Sequence, residues 1–147
     1  NDVNGNFDTI TMFHVLEHLD DQIDTLKKIY KLLNKNGYLI IEIPHAKDVL
    51  LNNENFKKFS FWSEHLILHT ERSIYKFLDL AGFRNTKISY YQRFGLANHL
   101  KWNLEGKPDG HNDKFFKKII SKKIDNIYRN EIEKIKKTDT IFAVCKK

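Results

Sequence analysis

The stretch from Phe7 to Pro44 constrains this chain more than any other. It opens with an apolar run, Phe7 to Phe13, that carries β-branched residues and ends in a polar cluster of His14, Glu17 and His18. Asp20 and Asp21 then offer helix N-caps, and Ile23, Leu26, Ile29, Tyr30 and Leu33 recur at helical spacing, which predicts a helix over 22–35 with one apolar face. Asn36-Gly37 is read as its stop, because glycine takes the left-handed C′ conformation without steric cost. Tyr38 to Ile43 is a second apolar run, closed by Pro44. Two parallel strands cannot be joined by a hairpin, so strand, helix, strand in this order predicts a crossover unit and an α/β fold.

The remainder extends that layout. Asp48 to Phe59 is expected to be a short helix, followed by an aromatic loop from Phe59 to Ser63. That loop lies beyond the carboxyl end of the second strand, the side on which open α/β sheets bind ligands. Thr70 caps a helix with Ile74, Phe77, Leu78 and Ala81 on one face, and Gly82 ends it. Residues 84–94 and Thr140 to Lys146 read as two further strands. Between them lie about 45 residues, a connection long enough to carry its own structure. Asn112 to Lys137 within it reads as helical with Asp113 as cap, and the block before it, from Gln92 to His111, has the composition of a folded loop.

The phrases FDTITMFHVLEHLDD and NKNGYLIIEIP, with HLILHTERSIYKFLDLAGF after them, resemble the second half of a class I S-adenosylmethionine-dependent methyltransferase, and most of all its small-molecule group. The resemblance implies a Rossmann-like sheet whose fourth to seventh strands run in the local order 4-5-7-6, the seventh antiparallel, with a helical insertion over 95–138. It also implies that the three earlier strands, the glycine-rich turn and the acidic ribose-binding residue are supplied by a preceding segment. On this reading residues 1–147 are a partial domain, inactive alone, whose fourth strand has an uncovered edge that invites pairing with a second copy. The block from Gln92 to His111 is similar to one in methyltransferases of cell-surface polysaccharide synthesis, which implies a saccharide or nucleotide-sugar acceptor.

Methyl transfer is an in-line displacement that needs alignment and often a base. His14, His45 and His65, at strand ends, are the candidate catalytic residues. Phe13, His14, Val15, Glu17 and His18 would line the S-adenosylmethionine edge. Trp62, His69, Tyr91, Arg93, Asn98, His99 and Trp102 are the candidate acceptor contacts, since aromatic faces with amide, imidazole and guanidinium donors suit sugars; the same set also suits an ordinary packed excursion. A related subgroup binds a divalent metal through a similar motif, and Glu17, His18 and His65 are the residues that would hold one, although this reading requires none. A Glu17–His18 turn that only braces the loop is the plainer alternative.

The net charge of +6 is confined to one region. Residues 112–147 carry 11 basic and 5 acidic side chains, while the rest of the chain balances. This helical stretch suits a solvated face, a groove for an anionic acceptor or, ranked last, nucleic acid. A nucleic-acid methyltransferase or binding module, and a non-catalytic dimerising half-domain, stand as rivals. The lone Cys145 excludes an internal disulfide framework and points to the cytosol. No apolar run reaches the ~20 residues of a membrane span.

Overall fold

A computed structural model of the protein describes residues 5–61 and 64–147, and these divide into a sheet unit (residues up to 44, 66–89 and 141–147) and a helical unit (residues 45–65 and 90–140). In the sheet unit the elements are β1 (Phe7–Phe13), α1 (Gln22–Leu32), β2 (Leu33–Pro44), α3 (Glu71–Ala81), β3 (Asn85–Tyr91) and β4 (Thr140–Lys146), except that Tyr90 and Tyr91 at the end of β3 and Thr140 at the start of β4 fall in the helical unit. The strand order is β1-β2-β4-β3. β1 and β2 are parallel, with Ile10 opposite Leu39 and Phe13 opposite Glu42. β4 runs against β2: Lys147 N–H donates to the Gly37 carbonyl at one end of the pair, and Phe7–Phe13 lies on β2's other edge. This is the expected 4-5-7-6 order with the last strand reversed.

One face of the sheet carries the core. Leu39, Ile41 and Ile43 of β2 alternate inward with Ile141, Ala143 and Cys145 of β4, and they meet Leu26 of α1 and Ile74, Leu78 and Ala81 of α3. The period-2 alternation puts every second strand residue on this face and its neighbours on the other. The opposite face has no such cover among the described residues: Phe7, Phe13, Tyr38 and Val144 are all exposed. The apolar run of β1 predicts a buried strand; within this chain only its Met12 is buried, because β1 stands at the sheet edge with β2 on one side only.

Helix ends follow sequence chemistry in some places and depart from it in others. Thr70 and Ser73 form a reciprocal capping box at the start of α3, and Gly82 ends it in the left-handed region at φ 108°, as predicted. α1 ends three residues sooner than expected, and its last turn passes directly into β2. Asn36, at φ 68°, takes the left-handed conformation there, not Gly37. The glycine is needed for a different reason: a Cβ on Gly37 would stand 3.0 Å from the Asn34 carbonyl oxygen and 3.1 Å from that of Phe7. The β1–β2 register shifts at this point. Asp21 occupies the N-cap of α1 without a side-chain cap bond.

The helical unit contains α2 (Glu54–Ser60), α4 (Leu96–Glu105), α5 (Lys114–Ile119) and α6 (Lys122–Lys134). The helix expected over 48–59 is divided: a 3-10 turn, Val49–Asn52, precedes α2, because Asn53 is extended and its side chain caps Asn55 and Phe56. The helix expected over 112–137 is likewise two. Asp113 caps α5 as predicted, Ile120 is extended, and Ser121 caps α6. The block expected as a folded loop contains α4 instead. The unit's core is aromatic, with Trp102 buried between Phe56 and Phe59 at 5.2 Å from each ring. Among the described residues no helix is long and apolar enough to cross a membrane.

Candidate active site

A group of polar side chains, His14, Glu17, His18 and Glu42, gathers at the carboxyl ends of the parallel pair β1–β2. His14 follows β1 directly, and its N–H continues the ladder to the Glu42 carbonyl at 2.9 Å. Its backbone is left-handed, at φ 52°. That conformation is uncommon outside glycine but tolerated by histidine, and it turns the ring back over the sheet end. Nε2 stands 3.2 Å from Glu42 Oε1, and Nδ1 stands 3.3 Å from Glu17 Oε1. One imidazole thus lies between two carboxylates.

The following turn is fixed from several sides. Leu16–His18 is a 3-10 turn, and the Glu17 carbonyl accepts from the N–H groups of Leu66 and Ile67. Leu16 is wholly buried, and the Glu17 side chain is 1% exposed. His18 Nε2 approaches the same Glu17 oxygen at 3.9 Å. A buried carboxylate is costly unless paired, and the flanking imidazoles supply that pairing when either is protonated. Phe13 and Val15, on either side of His14, are exposed by 50% and 43%. The turn therefore offers apolar surface at its rim and a held imidazole behind it. Glu42 was not among the residues expected here. Its signal in the sequence is a single acid within the apolar run LIIEIP, on the strand face opposite Ile41 and Ile43.

His69 belongs to the sheet unit but is fully buried: Nε2–H donates to Gln22 Oε1 at 2.7 Å, and Nδ1 lies 3.2 Å from Ser73 Oγ. Burial pushes its pKa down to about 4, so the ring is neutral near pH 7 and serves as a structural link between α1 and α3. His45, His65, Tyr91, Arg93, Asn98, His99 and Trp102 belong to the helical unit. His45 is 1% exposed, donates from Nδ1 to the Thr138 carbonyl at 3.1 Å, and packs against Tyr90. His65 Nδ1 donates to the Ser60 carbonyl at 2.7 Å. Of the residues named as metal ligands, Glu17 and His18 belong to the sheet unit and His65 to the helical unit. Trp62 lies outside the described residues.

Asn98, His99 and Trp102 are all buried, on one side of α4. They form interior structure instead of an open aromatic-and-donor surface. His99 Nδ1 is 2.6 Å from Tyr128 Oη, and its Nε2 is 3.1 Å from the Gln92 amide nitrogen. Gln92 donates in turn to Asp139 Oδ2 and to the Phe94 carbonyl. Burial, reinforced by the Arg129 charge, pushes His99 down to about 4, and burial pushes the Tyr128 phenol up to about 12. Arg93 and Tyr91 remain exposed. Arg93 N–H donates to Asp139 Oδ1, and its guanidinium lies 5.5 Å from the centre of the Phe94 ring.

Comparison with known proteins bears on this geometry. No curated protein matches the sequence. Among solved structures, an Archaeoglobus fulgidus SAM-dependent methyltransferase aligns over 97% of this chain and 60% of its own, with a TM-score of 0.60 at 19% identity. A Thermotoga maritima SAM-dependent methyltransferase, described as a possible histamine N-methyltransferase, aligns over 96% of this chain and 56% of its own, with a TM-score of 0.59 at 19% identity. Phosphoethanolamine N-methyltransferase 2 of Haemonchus contortus, solved with S-adenosyl-L-methionine, aligns over 96% of this chain and 33% of its own, with a TM-score of 0.52 at 15% identity. The likeness establishes a shared fold, and the chain spans about 60% or less of these proteins' length. A family model described as a methyltransferase domain matches residues 2–88, more than half of the chain. The chain belongs to the methyltransferase domain family.

Proposed function

We propose that the chain is the C-terminal part of a class I S-adenosylmethionine-dependent methyltransferase acting in the cytosol on a small acceptor, a saccharide or nucleotide-sugar of surface-polysaccharide synthesis. The observation that carries this reading is the held imidazole at the end of the parallel pair, with His14 between Glu17 and Glu42. In open α/β sheets this is the end at which ligands bind. S-adenosylmethionine, when bound, supplies a methyl group on a sulfonium centre. This chain's residues fit one edge of that ligand: Phe13 and Val15 offer exposed apolar surface, and the carboxylates behind them favour a positive charge. His14 is the base or polariser for the acceptor, because it is partly exposed and the two carboxylates orient its ring. His45 ranks below it because it is buried; His65 gives its Nδ1 proton to a backbone carbonyl, which leaves Nε2 as its acceptor nitrogen, and stands as the second candidate.

The rest of the cofactor site belongs to a segment that would complete the sheet on the free side of β1. The 60% coverage of the Archaeoglobus protein and the uncovered sheet face support this division. A divalent metal is not needed for the proposed transfer. The saccharide reading rests on the likeness of the block from Gln92 to His111 and on the exposed Arg93 within it and Tyr91 just before it.

The test uses the full-length protein, with methyl transfer from radiolabelled S-adenosylmethionine to nucleotide-sugars, small amines and RNA compared side by side. Transfer to a nucleotide-sugar is expected, and His14→Ala should lower kcat by about 10²–10⁴, the usual range for a lost acid–base group. Transfer to RNA alone, with steep salt dependence, would replace the saccharide reading with the nucleic-acid one. Unchanged kcat in the His14 variant would remove His14 from the chemistry.

A further inference from the structure

The helical unit carries an exposed surface that the methyl-transfer reading does not use. Between Asp113 and Asp125 the sequence KFFKKIISKKI holds five lysines and no acid. The two flanking acids are engaged elsewhere, Asp113 with Lys101 at 2.7 Å and Asp125 with Arg129 at 2.7 Å. Among the described residues no carboxylate pairs with Lys114, Lys117, Lys118, Lys122 or Lys123. Large apolar side chains are interleaved with them: Phe115 is 63% exposed and Ile119 51%. These two are four residues apart on α5 and so share a face, while Phe116 turns inward and anchors the helix in the core. Ile124 and Ile127, three apart on α6, are exposed to a similar degree. Solvated helices put charge outside and apolar groups inside. Here both kinds of side chain point outward.

We propose that the α5–α6 surface docks on an anionic lipid bilayer, lying at its surface without crossing it. Lysines interleaved with exposed phenylalanine and isoleucine are the composition of interfacial helices, which insert the apolar groups at the level of the acyl boundary while the ammonium groups meet lipid phosphates. A second copy of the chain does not fit, because it would bring five like charges against five. A nucleic acid satisfies the lysines but gives the isoleucines no apolar phase. The proposal is independent of the acceptor reading and fails separately from it.

Co-sedimentation of the full chain with phosphatidylglycerol/phosphatidylcholine vesicles and with pure phosphatidylcholine vesicles tests it. Binding to the anionic vesicles is expected to be at least tenfold stronger than to the neutral ones. The variant Phe115→Ser with Ile119→Ser should bind about tenfold more weakly, and Lys117→Gln, Lys118→Gln, Lys122→Gln and Lys123→Gln combined at least about thirtyfold more weakly, since each lost basic residue weakens attraction to the anionic surface. Circular dichroism checks the fold of each variant; the first pair is exposed and carries the test if the lysine variant misfolds. Arg84→Gln with Lys87→Gln, a basic pair of the sheet unit, should leave binding unchanged. No binding to anionic vesicles would overturn the proposal. So would binding that the Phe115/Ile119 variant leaves intact, or tighter retention on an RNA oligonucleotide than on vesicles, since either marks a polyanion site with no lipid in it.

Discussion

Burial moves several titratable side chains of this chain toward their neutral forms, and a carboxyl and an imidazole so moved respond to pH in opposite senses. Burial, with the nearby Asp139 charge, pushes the Asp48 carboxyl up to about 7 against the Leu50 N–H it accepts. A raised carboxylate binds its proton more tightly in the folded chain. Its contribution is therefore fully present below about pH 4 and is lost as the pH rises toward 7. Asp48→Asn keeps the oxygen that caps Leu50 and removes the charge. Urea denaturation should find this variant more stable than the parent by about 1–3 kcal/mol at pH 8 and nearly equal to it at pH 4, an upper scale set by about 1.4 kcal/mol per pKa unit. Greater stabilisation at pH 4 than at pH 8 would show that Asp48 is not the group responsible. His69 and His99, both pushed down to about 4, act the other way. Their contribution is complete above about pH 6.5 and is lost as the pH falls toward 4, so acid destabilisation begins with them. Cys145 is buried, and its thiol is pushed up to about 11, which makes it a core residue and not a nucleophile.

At the scale of elements, the sequence is most legible where one local signal decides the outcome. Alternating apolar residues mark β1, β2 and β4, and the Thr70 capping box with Gly82 marks both ends of α3. It is least legible where two signals compete. Asn36 and Gly37 each allow a left-handed turn, and only the close approach of three carbonyl oxygens shows which residue must lack a Cβ. Gly37→Ala should therefore cost about 1–3 kcal/mol, as overpacking at a close contact does, in a thermal melt, although its φ is not positive. A neutral result would mean that the β1–β2 bulge yields without strain. Asn53 and Ser121 each split a stretch read as one helix, because an extended capping residue restarts the backbone pattern. At the candidate site the turn from His14 to His18 is legible from its residue types. Its completion by Glu42 is not, because that contact joins residues 28 apart across a parallel pair. Asn98, His99 and Trp102 have the composition of a sugar site, and composition does not distinguish an open surface from the interior of a helical unit.

For the whole molecule, the asymmetry of the sheet matters most. One face is sealed by α1 and α3, the other leaves Phe7, Phe13, Tyr38 and Val144 exposed, and among the described residues no strand pairs with the outer edge of β1. An edge of this kind recruits another strand. If the proposed division of the sheet holds, that strand comes from the preceding segment in the full-length protein and from a second copy when this chain is alone. Sedimentation of residues 1–147 should show a concentration-dependent dimer that Thr9→Lys, a charge placed on β1, shifts to monomer. A monomer at all concentrations would rule out edge pairing.

We propose that the turn after β1 forms one wall of the cofactor and acceptor site. Hydrogen exchange measured by mass spectrometry on the full-length protein, with and without S-adenosylhomocysteine, tests it most directly. Peptides covering residues 13–18 should exchange more slowly when the ligand is present. Protection elsewhere in the protein with none at 13–18 would contradict the claim.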